Sequence, residues 1–197
     1  MEVLRTFIAI PFSSAVRAHL AECQAGLRAA VPAAVKWVET ENLHLTVRFL
    51  GDTPEGDLPA ICAALKTAVT ALPSFPIVVS GLGAFPSRQA PCVVWAGVAE
   101  GRAALQALHQ RVESALAAAG FTAAPERFSP HITLGRARGG QPAPGLAPLL
   151  TADGCAPISD QVTRLVFLRS LLTGRHPVYL PLAEYELTGG KTGREDG

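Results

Sequence analysis

One four-residue pattern occurs twice in this chain. His44-Leu45-Thr46-Val47 and His131-Ile132-Thr133-Leu134 both read His, aliphatic, Thr, aliphatic, and they start 87 residues apart. In a β-strand successive side chains point to opposite faces. Each copy can therefore bury its aliphatic pair on one face and show an imidazole beside a hydroxyl on the other. With 5 His and 13 Thr in 197 residues, two such matches arise by chance roughly a few times in a hundred, so their surroundings must carry the argument.

The surroundings repeat as well. An apolar strand over Val3 to Ile10 leads through Pro11 and a Ser13 or Ser14 cap into a helix over about 15–30. Val16, Leu20, Cys23 and Leu27 fall at core spacing on that helix. Val31-Pro32 stops it, Lys36-Trp37-Val38 is extended, and Asn42 to Leu50 is the first motif strand. Gly51-Asp52-Thr53-Pro54 reads as a turn. A helix over about 57–72 and strands over Phe75 to Ala84 and Cys92 to Val98 follow. The plan then restarts. A helix over about 102–119, with Leu105, Leu108, Val112 and Leu116 inward and Gly120 as its C-cap, precedes the second motif strand, Phe128 to Arg136. Gly139 to Pro148 reads as a mobile loop, Gln161 to Arg169 and Val178 to Leu187 as strands, and 189–197 as a disordered polar tail. The expected fold is α+β: two pseudo-symmetric lobes, each an antiparallel sheet packed with helices, facing a central groove within one domain over 1–188. Both motifs would then face that groove.

Charge narrows the partners. A formal net charge of +1 speaks against wholesale capture of duplex nucleic acid, while 14 of the 17 basic residues are Arg, the better residue for forked phosphate recognition. Cys23, Cys62, Cys92 and Cys155 show no Cys-x-x-Cys spacing, so four reduced thiols are expected. No signal-peptide design and no apolar run of membrane-spanning length are present, which gives a cytoplasmic expectation. Two histidines without a nearby Asp, Glu or Cys cluster are a poor ligand set, so no metal is expected.

Two His-x-Thr-x motifs on a two-lobed scaffold resemble the 2H phosphoesterase superfamily. The likeness narrows further. Asn42 to Gly51, Arg5-Thr6-Phe7-Ile8-Ala9, Gly81 to Pro86 and Phe128 to Arg136 resemble, in the same order, blocks of the LigT-like RNA 2′,3′-cyclic phosphodiesterases, once called 2′-5′ RNA ligases. The resemblance implies roles. His44 would be the proton donor to the departing 3′-oxygen of an RNA 2′,3′-cyclic phosphate, and His131 the proton acceptor from water. The product would be a 2′-phosphate end, with no metal and no cofactor. Arg136, five residues after His131, matches an arginine that contributes in that family. Partners would be RNA 3′ ends, such as tRNA fragments, or small cyclic nucleotides, bound by a monomer. Alternatives are the reverse reaction (2′-5′ RNA ligation), a small cyclic-nucleotide phosphodiesterase, and an RNA-end binding module without turnover.

The residues agree with this chemistry. Histidine titrates near roughly 6.5, so two can hold opposite protonation states near neutrality. Thr46 and Thr133 can donate to non-bridging phosphate oxygens, or can simply be strand formers. Strict alternation puts Arg48 on the His44 face and turns Arg136 away from His131, unless a bulge near Gly135 reverses it. Arg48 and Arg136 therefore both stand as substrate-binding candidates. Phe49 and Trp95 read as core before they read as base-stacking platforms. His19 and His109 read as surface or capping residues, His176 as a turn residue, and Arg88 and Arg138 as loop cations.

Overall fold

The computed structural model describes residues 2–31, 33–124, 127–172 and 176–188, so the tail expected over 189–197 lies outside them. The strands are β1 (Val3–Pro11), β2 (Val35–Trp37), β3 (His44–Pro54), β4 (Phe75–Pro86), β5 (Pro91–Glu100), β6 (His131–Ala137), β7 (Ile158–Val162), β8 (Arg164–Leu172) and β9 (Pro177–Glu186). The helices are α1 (Ser14–Ala30), α2 (Leu58–Val69) and α3 (Arg102–Ala118).

The sheet runs β7-β4-β5-β6-β3-β1-β8-β9, with β2 added on β6. Every pairing is antiparallel. It divides into two four-stranded halves, each with a motif strand at the seam, joined where Leu45 pairs with Ile132. The class is the expected α+β, and the sheet is strongly curled. β7 and β8 lie six strand spacings apart in the order, about 29 Å on a flat sheet at ~4.8 Å per strand. Thr163 alone separates them in sequence, and one residue spans at most ~3.6 Å. The sheet therefore bends into a half-barrel that brings its ends together. Leu187 N–H donates to the Thr163 carbonyl at 2.8 Å across that closure.

Leu45, Ile132 and Leu134 are completely buried and Val47 nearly so, so the aliphatic face of both motifs is core. Truncating such a residue to alanine costs roughly 2–5 kcal/mol. α1 starts where the Ser13 hydroxyl accepts from Val16 N–H at 3.3 Å, and it buries Val16, Leu20, Gln24 and Leu27. The polar Gln24 takes the inward place expected of Cys23. α3 buries the four expected aliphatics. It ends as expected at Gly120, φ +89°, where Phe121 N–H reaches Leu116 O and Gly120 N–H reaches Ala117 O, both at 3.0 Å. α2 packs on α3.

Four expectations change. Gly51 to Pro54 is not a turn, because β3 continues through it. Leu50 is skipped in the pairing with β1, and Gly51 takes φ +73° to absorb the bulge. Gln161 to Arg169 is two strands, broken at Thr163. The Gly139 to Pro148 stretch forms short 3₁₀ turns held by buried Ala143 and Leu146. Finally, Cys23 and Cys155 are joined as a disulfide. The fold sets their Cα atoms 5.8 Å apart, within disulfide range, across a sequence separation of 132 that spacing could not reveal.

Candidate active site

A groove of about 540 Å³ is lined by His44, Thr46, His131, Thr133 and Arg136, with Arg5, Phe7, Phe49 and Tyr179 among its other walls. The four motif side chains share it because their aliphatic partners occupy the opposite, buried face. β3 and β6 run antiparallel, so the register that sets Leu45 opposite Ile132 puts His44 on the Thr133 side and His131 on the Thr46 side.

Each imidazole is held in the same way. His44 Nδ1 lies 2.6 Å from the Asn42 carbonyl and His131 Nδ1 lies 2.7 Å from the Ser129 carbonyl, two residues back in each case. A carbonyl only accepts, so Nδ1 carries the hydrogen in both rings. Nε2 is then the nitrogen that gains or loses a proton in the groove. The Thr46 hydroxyl stands 3.0 Å from His44 Nε2 and donates to it when the ring is neutral. Asn42 is itself tied to the β9 end of the site, its Nδ2 donating to the Pro177 carbonyl at 2.8 Å.

Each imidazole is also flanked by two aromatic rings. Phe7 and Tyr179 lie 5.0 and 5.4 Å from His44, while Phe85 and Trp95 lie 5.0 and 6.3 Å from His131, centroid to centroid. These apolar walls make a charged ring costly. Burial is the largest influence lowering the pKa of His44, to about 4, with the charges of His131 and Arg136 adding to it and the Asn42 hydrogen bond opposing. His131 is also lowered, first by burial and then by Arg136. Both rings are therefore neutral near pH 7 in the empty groove. An anion between them offsets the positive charge of Arg136 and favours the protonated form of a ring.

The conflict between Arg48 and Arg136 is resolved by paired bulges. In β3, Ile8 faces Arg48 and Ala9 faces Thr46, so Val47 is skipped. In β6, Val94 faces Gly135 and Trp95 faces Thr133, so Leu134 is skipped. Each bulge reverses the alternation beyond the motif. Arg136 then enters the groove, and so does Phe49, which is 61% exposed rather than core. Arg48 does not join the site. It is buried on the opposite face, where its Nε lies 3.3 Å from Glu113 and its Nη2 donates to the Thr122 carbonyl at 2.5 Å. Gly135 has a separate duty: a Cβ there would sit 2.6 Å from Val35 and 2.9 Å from Trp37, so glycine lets β2 lie against β6.

The other histidines fall elsewhere. His109 is buried, stacked on Phe128 at 4.3 Å, with Nδ1 donating to the Val47 carbonyl at 3.1 Å, so it is neither a surface nor a capping residue. His176 pairs with Glu39 at 3.0 Å beside a neighbouring cavity of about 510 Å³ that also reaches His44. His19 donates to the Ala156 carbonyl and sits near both sulfurs of the disulfide. His19, Cys23 and Cys155 lie close together, but both sulfurs are committed to the disulfide, and none of the three lines the groove. Neither Arg88 nor Arg138 lines it.

The LigT like Phosphoesterase family model matches residues 10–95 and 97–179, two consecutive stretches that each hold one motif. The chain belongs to this family. An RNA 2′,3′-cyclic phosphodiesterase of Aeropyrum pernix is 37% identical over 161 residues, covering 81% of this chain and 89% of that one. The protein of the same name from Thermotoga maritima is 35% identical, covering 95% and 97%. Among solved structures, E. coli LigT complexed with 3′-AMP superimposes with a TM-score of 0.76 at 26% identity, covering 95% of this chain and 99% of that one. In this LigT-like phosphoesterase the groove also holds residues that sequence reading did not single out: Arg5, Phe7 and Tyr179. Phe7 lay in the quoted block Arg5 to Ala9, but nothing in its strand pattern distinguished it from core. Tyr179 is 135 residues from His44 in sequence, and only the β8–β9 pairing beside β1 brings it there.

Proposed function

We propose that this chain hydrolyses RNA 2′,3′-cyclic phosphate ends to 2′-phosphate ends by acid–base catalysis between His44 and His131, without a metal. The observation that carries the reading is the matched pair of imidazoles in one groove, each with Nδ1–H fixed on a carbonyl, which leaves Nε2 as the nitrogen that exchanges a proton. The relatives named RNA 2′,3′-cyclic phosphodiesterase support the substrate class.

In this mechanism His131 Nε2 takes a proton from water as the water oxygen bonds to phosphorus. The P–O3′ bond breaks, and His44 Nε2, protonated in the complex, delivers its proton to O3′. Thr46 and Thr133 hydroxyls donate to the non-bridging oxygens, and Arg136 offsets their charge. Donors fixed toward developing charge commonly supply a large part of a rate enhancement. Both imidazoles come from one chain, within the proposed single domain over 1–188, so the site needs no residue of a second subunit and a monomer suffices. An RNA-end substrate fits a cytoplasmic site of action. Among the described residues no helix is long and apolar enough to cross a membrane.

The test is incubation of the protein, in EDTA, with an RNA ending in a 2′,3′-cyclic phosphate. A 2′-phosphate product is expected. A 3′-phosphate product, or loss of turnover on chelation, contradicts the proposal. His44→Ala and His131→Ala should each lower kcat by ~10² or more.

A further inference from the structure

The two bulges that aim Phe49 and Arg136 have a common support. A bulge residue is left out of its ladder, so its carbonyl needs another partner. Leu134 O receives Gln24 Nε2 at 2.8 Å and Val38 N–H at 2.9 Å, and the second hydrogen of the Gln24 amide goes to Val38 O at 2.9 Å. Val47 O receives His109 Nδ1 at 3.1 Å. Gln24 and His109 are both buried among aliphatic side chains of a helix face. Gln24 stands 20 residues before His44, and His109 stands 22 before His131. The support is exchanged: the helix of each half holds the motif strand of the other.

We propose that Gln24 and His109 are positioning residues, which pin the bulges at Leu134 and Val47 and thereby hold Arg136 and Phe49 in the groove. Without the amide of Gln24, Leu134 has less reason to stay out of register. A regular strand in its place would carry Arg136 to the buried face and Gly135 to the groove face. The same argument links His109 to Phe49. As a catalytic role this rests on the function proposed above, but the geometry can be tested without turnover.

The experiment is a double-mutant cycle on the full chain, read by the affinity for inorganic phosphate in calorimetry and by kcat. Arg136→Ala should weaken phosphate binding by ~10-fold or more, as expected for a lost charge-assisted contact. Gln24→Met keeps the side-chain volume and removes the donors. It should weaken binding by about 10-fold in the native background and by less than about twofold in the Arg136→Ala background. Equal losses in both backgrounds would mean that Gln24 acts through general stability, and would overturn the proposal. So would a crystal structure of Gln24→Met with the Leu134 bulge and the Arg136 position unchanged. If Gln24→Met does not fold, the cycle of His109→Leu with Phe49→Ala, read by KM for RNA, carries the same test. There His109→Gln, which keeps a donor, should restore KM, and its failure to do so while folded would contradict the proposal. Absence of RNA turnover with an intact phosphate cycle would remove the catalytic reading and leave the positioning one standing.

Discussion

Leu45 lies directly opposite Ile132, and this one register pair joins the two halves of the sheet. Both side chains are completely buried beneath it. Their flanking residues, His44 and Thr46 on one strand and His131 and Thr133 on the other, are therefore turned to the other face together. A one-residue slip at this seam would send one histidine into the core. The site is thus a consequence of which face each motif buries.

The two arginines should separate cleanly by experiment. Arg136→Ala removes a cation from the groove and should lower kcat/KM by ~10-fold or more while leaving the melting temperature nearly unchanged. Arg48→Met should do the reverse. It takes the cation from partly buried Glu113 and the donor from the Thr122 carbonyl, a loss of roughly 1–3 kcal/mol, with kcat of the remaining folded enzyme little changed. Steady-state kinetics beside thermal melts read both. An Arg48→Met enzyme that is stable but inactive would contradict the assignment.

That contrast marks where sequence reading stopped. Alternation alone found the inward and outward faces of His44 to Val47 and of His131 to Leu134, because a strand has a fixed period of two. It failed one residue later. A bulge is set by how two strands pair, and the chain's local pattern does not show pairing. Gly135 hinted at one bulge, but Val47 carried no such signal. The same blindness made Gly51 to Pro54 look like a turn and hid the break at Thr163. The helix faces were legible from their aliphatic spacing, except where Gln24 and His109 occupy core positions to serve carbonyls of another strand.

Acid should unfold the protein partly through His44. Its pKa is about 4 in the folded chain, below the ordinary 6.5, with burial as the main cause. Above pH 6.5 the ring is neutral in both folded and unfolded states. Between 6.5 and 4 the unfolded chain takes up a proton that the folded chain refuses, so stability falls as pH drops, by roughly 3 kcal/mol at most. His44→Ala lacks this contribution. Denaturant unfolding of both proteins at pH 7 and pH 4 should show a smaller acid loss in the variant. An equal loss would mean that His44 is not held neutral by its surroundings.

Trp95 depends on Gly83. A Cβ at position 83 would fall 2.2 Å from the Trp95 ring. Gly83→Ala must displace the indole, and with it one wall beside His131. The expected result is a His131 midpoint nearer 6.5, read by NMR, with kcat reduced. A His131 midpoint identical to the native one would show that the Trp95 wall does not set it.

The central claim is that the two imidazoles address one phosphorus, and a pH titration of both rings by NMR with and without inorganic phosphate tests it most directly. In the free protein both Nε2 atoms should titrate below 6.5, His44 at about 4. Saturation with one equivalent of phosphate should raise both midpoints together. A shift confined to one ring, or two phosphates bound independently, would contradict it.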